Sequence, residues 1–202
     1  MIVIVDYGMG NLRSVQKAFE RIRIPATISS IPQEIGQAEK LVLPGVGNFE
    51  RGISNLKDRK FFELLNELVR DKKKPILGIC LGMQLMTEFS EEGNCNGFGW
   101  IKARTQKFSF QSNGLKIPHM GWNNLSIKKS DTIFKDITTD NFFYFVHSYY
   151  VSCESVTDIL AETGYGNSFV SSFQKENIFG CQFHPEKSHD KGLKILKNFA
   201  EM

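Results

Sequence analysis

Nothing in this 202-residue chain resembles a disulfide framework: its four cysteines, Cys80, Cys95, Cys153 and Cys181, lie far apart and form no C-x-x-C pair. No apolar run is long enough to span a bilayer. The opening Met1-Ile2-Val3-Ile4-Val5-Asp6 lacks a basic lead, and its apolar run is too short for a secretory leader, which points to the cytoplasm. Charge of one sign is also missing. Twenty-five basic side chains against 22 acidic ones leave a formal charge of +3, so neither a nucleic-acid stripe nor an acidic tail is indicated. With 41% apolar residues and no repeat, low-complexity tract or linker composition, wholesale disorder is excluded, and one domain over residues 1–202 is the simplest organisation.

What is present reads as strands alternating with helices. Ile2 to Val5 is an apolar run closed by Gly8-Met9-Gly10-Asn11, after which Leu12, Val15, Phe19 and Ile22 recur at helical spacing. Residues 26–29 and 40–43 read as further strands, the latter stopped by Pro44-Gly45-Val46-Gly47. A helix with Phe61, Leu64, Leu65, Leu68 and Val69 on one face follows, and Pro75 breaks it before a strand at 76–79. Residues 81–89 read as an apolar helix. Strands are expected at 100–110, 115–127, 142–151, 157–162, 169–174 and 178–183, and a closing helix carries Leu193, Leu196 and Phe199. The expected fold is α/β, an open, mostly parallel central sheet flanked by helices, with a β-rich, partly antiparallel C-terminal half.

Gly78-Ile79-Cys80-Leu81-Gly82 has the G-x-nucleophile-x-G form of a strand-to-helix elbow. The sharp turn crowds the backbone, so small residues flank the nucleophile. The N–H groups of the following helix favour a thiolate, and the Leu81 N–H offers one arm of an oxyanion hole. Alone, the pentapeptide fits a small buried cysteine equally well. Gln182-Phe183-His184-Pro185-Glu186 adds a second feature. On an extended chain His184 and Glu186 point the same way, and a carboxylate beside an imidazole holds one tautomer and makes a better base. The 44–47 turn, at the carboxyl end of a neighbouring parallel strand, is positioned to supply a second oxyanion N–H, although in isolation it reads as an ordinary turn. Cys181 and His184 make only half a zinc motif and point to opposite faces of a strand, so no metal is expected. Gly8 and Gly10 lack the third glycine of a dinucleotide fingerprint.

Together with Asp6-Tyr7-Gly8-Met9-Gly10-Asn11-Leu12, His119-Met120-Gly121-Trp122-Asn123 and Tyr144-Phe145-Val146-His147-Ser148-Tyr149, these motifs resemble the class I, or triad, glutamine amidotransferases over nearly the whole chain. Within them, the sequence is most similar to glutaminase subunits of imidazole glycerol phosphate synthase. The resemblance implies a flavodoxin-like fold and a Cys80-His184-Glu186 triad that hydrolyses glutamine without a cofactor. It implies glutamine contacts from Gln84, His147, Ser148 and Tyr149, and an oxyanion hole at Leu81, Val46 and Gly47. Ammonia loses its nucleophilicity when protonated in bulk water, so the resemblance further implies a separate (β/α)₈ barrel cyclase as heterodimeric partner, met by Asn11, Met120, Trp122 and Lys187.

The segment Gly97-Phe98-Gly99-Trp100-Ile101-Lys102-Ala103 and His189 depart from the histidine-pathway pattern, which leaves a paralogous role open, with ammonia supplied to amidino-sugar synthesis for surface polysaccharide. Two other classes compete. A cysteine hydrolase or peptidase of the same architecture would need no partner, and a noncatalytic interaction module would tolerate loss of Cys80.

Overall fold

A computed structural model describes residues 1–110 and 114–202. The first half runs β1 (Ile2–Val5), α1 (Leu12–Arg21), β2 (Ala26–Ser29), α2 (Pro32–Gln37), β3 (Lys40–Gly45), α3 (Phe49–Asp58), α4 (Phe61–Asn66), a π-helical turn (Glu67–Asp71), β4 (Ile76–Cys80) and α5 (Leu81–Gln84). The second half is β5 (Thr87–Ser90), β6 (Cys95–Asn96), β7 (Ile101–Lys107), β8 (His119–Asn124), β9 (Ser126–Ile127), β10 (Phe142–His147), β11 (Tyr149–Cys153), β12 (Ile159–Tyr165), β13 (Asn167–Lys175), β14 (Ile178–Cys181) and α6 (His189–Glu201). The large sheet has the order β2-β1-β3-β4-β14-β13-β11-β7-β5-β6, with β12 branching from β13. Its first five strands are mutually parallel, and from β14 outward the pairing turns antiparallel except between β5 and β7.

Two-residue alternation explains the layers. Val3 and Val5 of β1 face one side of the sheet with Leu41, Leu43, Ile35, Phe49, Ile53, Leu56 and Phe61. Ile2 and Ile4 face the other with Val42, Leu77, Ile79, Val15, Phe19, Ile195, Leu196 and Phe199. Each fully buried Phe, Leu or Ile side chain contributes about 1.5–3 kcal/mol, and these two layers clamp the carboxyl ends of β3, β4 and β14 into fixed mutual register. Asn11 caps α1 by accepting from the Ser14 N–H at 3.4 Å.

Three expectations need correction. The apolar stretch 81–89 is a single helical turn followed by strand: Thr87 Oγ1 donates to the Gln84 carbonyl at 2.8 Å, closing α5, and pairs with Thr105 Oγ1 at 3.2 Å across to β7. Residues 142–151 form two strands in two different sheets, because among the described residues β10 pairs only with β8, and the chain crosses at Ser148 to pair with β7. Residues 115–127 likewise contain two separate strands, β8 and β9.

Candidate active site

Cys80 ends β4 and begins α5 with φ 54° and ψ −110°, a backbone conformation that a non-glycine residue rarely holds. The flanking glycines permit it. A Cβ on Gly82 would stand 1.7 Å from the Leu43 carbonyl oxygen, and one on Gly78 would stand 2.7 Å from the Met83 nitrogen. The elbow is therefore pressed directly against β3, whose Gly45 pairs in register with Cys80. Since α5 is one turn long, its dipole is a smaller source of thiolate stabilisation than the longer expected helix would have been.

His184 and Glu186 meet the elbow from β14, which runs parallel to β4 with Cys181 opposite Ile79. The His184 N–H bonds the Tyr144 carbonyl at 2.9 Å, and its ring Nδ1 lies 2.8 Å from Glu186 Oε1, with both side chains buried. The expected pairing is present for a different reason. His184 is extended, with φ −99° and ψ 96°, but Glu186 sits on a 3₁₀ turn (Pro185–Lys187) that folds its carboxylate back toward the ring. Burial opposes the charged imidazole. The neighbouring Cys80 and the hydrogen-bonded Glu186 carboxylate outweigh it and raise the His184 pKa to about 10.

The Cys80 sulfur opens into a cavity of about 380 Å³ bounded by Val46, Gly47, Leu81, Gln84, Glu92, Val146, His147, Ser148 and Tyr149, a size suited to a small molecule. Hydrogen-bond bookkeeping assigns the polar atoms. The Tyr149 carbonyl accepts from Gln84 Nε2 at 3.0 Å and from His147 Nδ1 at 2.8 Å, so both of those nitrogens must carry hydrogen. His147 Nε2 then accepts from His119 Nδ1 at 2.9 Å. Burial holds both rings neutral, moving the His147 pKa down to about 3 and that of His119 to about 4. Both His147 nitrogens are thus committed, so the ring offers no free nitrogen to the cavity. Gln84 has its amide hydrogens committed to Tyr149 and to Gln182 Oε1 at 2.9 Å, which leaves its carbonyl oxygen as the group available to the cavity.

Two site residues escaped sequence reasoning. Glu92 is the one carboxylate lining the cavity among the described residues, and it also accepts from the Phe49 N–H at 2.8 Å. It lies on the turn after β5, and no local signal marks it. Gln182, fully buried, donates to Cys80 Sγ at 3.6 Å. The parallel register of β14 and β4 could have located it, because the residue after Cys181 must stand abreast of Cys80.

Outside the cavity, Met120 and Trp122 of β8 are 62% and 45% exposed, far more than large apolar side chains of a closed core. Lys187 Nζ lies 5.5 Å from the Tyr144 ring centroid, and Trp122 meets Tyr144 edge-on and stacks on His189 at 4.8 Å, so three of the four expected interface residues share one surface. Asn11 belongs to the exposed turn before α1, which packs near the 3₁₀ turn carrying Lys187. The two departures have structural explanations: Phe98 and Trp100 extend a stack begun by Phe62, with centroids 4.5 and 4.0 Å apart, and His189 completes the stack on Trp122.

The family model for glutamine amidotransferase class-I matches residues 3–202. The chain belongs to the class-I glutamine amidotransferases. It is 51% identical over 203 residues to the imidazole glycerol phosphate synthase subunit HisH 1 of Campylobacter jejuni subsp. jejuni serotype O:23/36 (strain 81-176), covering 100% of both chains. It is 49% identical over 201 residues to subunit HisH 2 of Methanococcus maripaludis, covering 100% of this chain and 99% of that one. The HisH subunit of Leptospira borgpetersenii is 41% identical, again over 100% of both chains. Two solved structures share the fold: a glutamine amidotransferase with TM-score 0.78, 16% identity and 100% coverage of both chains, and PurLQS from Thermotoga maritima with TM-score 0.76, 18% identity and coverage of 99% and 97%. The mostly parallel sheet expected from the sequence is the class-I glutamine amidotransferase fold.

Proposed function

We propose that the chain hydrolyses glutamine to glutamate and ammonia through Cys80, His184 and Glu186, and hands the ammonia to a barrel cyclase subunit. The observation that carries this reading is a strained cysteine elbow, beside a buried His–Glu pair, opening into a cavity of small-molecule size. In the first step the Cys80 thiolate forms a bond to the carboxamide carbon of glutamine, and the C=O electrons move onto the oxygen, held by N–H groups of Leu81 and of Val46 or Gly47. As the tetrahedral adduct collapses, the C–N bond breaks and protonated His184 gives its proton to the departing nitrogen, releasing ammonia. Neutral His184 then takes a proton from water, whose oxygen attacks the thioester. The C–S bond breaks, and glutamate leaves with the thiolate and imidazolium restored. Glu186 holds the imidazole in place throughout. The free carbonyl oxygen of Gln84 and the carboxylate of Glu92 match the α-ammonium of glutamine, and the Ser148–Tyr149 backbone takes its α-carboxylate.

Ammonia made in this cavity keeps its nucleophilicity only if it is passed on before it meets bulk water. The exposed Met120, Trp122 and Lys187 surface, with Asn11, is the face on which a (β/α)₈ barrel partner would dock to receive it. The four free thiols suit a reducing cytoplasm. Relatives named for imidazole glycerol phosphate synthase favour a partner that forms imidazole glycerol phosphate and an aminoimidazole carboxamide ribotide in histidine biosynthesis. A second reading has its own support: several of these relatives carry copy numbers, as in HisH 1 and HisH 2, so some organisms hold more than one such subunit, and one copy is free to serve amidino-sugar synthesis.

The test measures glutamate release with and without the barrel subunit and its ligand. The expected result is strong partner dependence and no release by Cys80→Ala. Release by that variant, or peptide turnover in place of glutaminase, would remove the reading. Histidine auxotrophy of a deletion strain separates the two pathways.

A further inference from the structure

Gln182 has no part in the triad, yet it is fully buried and its carboxamide touches the nucleophile. The orientation of that carboxamide follows from a backbone group on another strand, the first residue of β11. The Tyr149 carbonyl can only accept, so the Gln84 nitrogen faces it at 3.0 Å. The same nitrogen lies 2.9 Å from the Gln182 side chain, which must therefore present its oxygen to Gln84. Only the nitrogen of Gln182 remains, 3.6 Å from Cys80 Sγ, and it can only donate. Besides His184, the sulfur also faces the Val146 carbonyl at 3.9 Å, which can only accept and so suits the thiol. The two contacts favour opposite protonation states of Cys80, and the shorter one favours the thiolate.

We infer that Gln182 is a positioning residue for the glutaminase reaction: its carboxamide, locked by Gln84, donates to the Cys80 thiolate, keeps the sulfur charged and holds it toward the cavity. Because Gln84 also faces the cavity, one hydrogen-bond chain joins the substrate seat to the nucleophile. This rests on Cys80 being the nucleophile.

Two near-isosteric variants separate the sulfur contact from packing. Gln182→Glu keeps an acceptor for Gln84 but sets a carboxylate oxygen against the sulfur, and Gln182→Met removes the donor while retaining volume. The readout is the pH profile of iodoacetamide alkylation of the full chain, quantified on the Cys80 peptide by mass spectrometry, beside kcat and KM for glutamine in the complex. The midpoint of the profile is expected to rise by about one pH unit in Gln182→Met, the worth of one hydrogen bond to a charged group, and further in Gln182→Glu. In Gln182→Glu, kcat should fall by about tenfold or more with KM little changed. Midpoints that coincide with the wild type in whichever variant folds would overturn the inference. That result is distinct from failure of the glutaminase reading, which Cys80→Ala tests separately.

Discussion

Replacing Gly82 with alanine adds one methyl group to the chain, and the structure makes its consequence calculable. The added Cβ would fall 1.7 Å from the Leu43 carbonyl oxygen, whereas real Cβ contacts essentially never come under 3.0 Å, so the elbow and β3 must separate by at least the difference, 1.3 Å. The obstruction is backbone, and no side-chain rotation relieves it. Overpacking of this kind costs about 1–3 kcal/mol, a fall in Tm of about 5 °C for a chain of this size. Function should suffer more. A displacement of about 1 Å at the reacting atoms costs about 10²-fold in rate, and Gly45, which leads into the 46–47 turn, and Cys80 lie on the two elements being forced apart. Gly36→Ala is the matched control: it lies inside α2, a Cβ there meets nothing within 4 Å, and alanine should stabilise the chain by about 0.5–1 kcal/mol. Thermal unfolding and partner-stimulated glutamate release, measured on both variants, check the pair. A Gly82→Ala protein with wild-type Tm and rate would refute the claim that close approach of the elbow to β3 builds the site.

Three further outcomes are expected. Because His184 binds its proton more tightly folded, at about 10, than at its ordinary 6.5, the stability it contributes is complete below 6.5 and is lost as the pH rises through 10. Urea midpoints and glutamate release should therefore both decline toward pH 10, and the stability decline should flatten in His184→Gln. Glu92→Gln keeps an acceptor for the Phe49 N–H but removes the charge proposed to meet the substrate ammonium, so KM for glutamine should rise about tenfold with kcat nearly constant, as read from steady-state kinetics. Trp122→Ala should weaken binding of the barrel partner about 30-fold in titration calorimetry, while the unpartnered chain keeps its basal glutaminase rate.

The elements that bring Cys80, His184 and Glu186 together are legible in the sequence because each carries a local constraint. Gly78 and Gly82 declare the elbow, Pro185 keeps His184 extended, and the uninterrupted apolar runs of β1, β3 and β4 declare strands buried on both faces. What was not legible is set by tertiary pairing. The 81–89 stretch is apolar enough for a helix, but Thr87 closes α5 and joins a strand ladder. The 142–151 run gives no sign that its two halves pair in separate sheets, since the partner strands β8 and β7 decide that. The resemblance implies a substrate contact from the 147–149 segment, and only the fold shows that the Tyr149 carbonyl and His119 occupy the His147 ring. Glu92 is an ordinary loop carboxylate until the fold delivers it to the rim of the Cys80 cavity.

The most direct measurement is acid quench of the chain turning over glutamine with the proposed barrel partner, followed by peptide mass spectrometry for a glutamyl thioester. The adduct should appear on the peptide containing Cys80 and on no other, and it should vanish in Cys80→Ala together with glutamate release. Glutamate release that continues with Cys80 unmodified, or an adduct carried by Cys95, Cys153 or Cys181, would contradict the assignment.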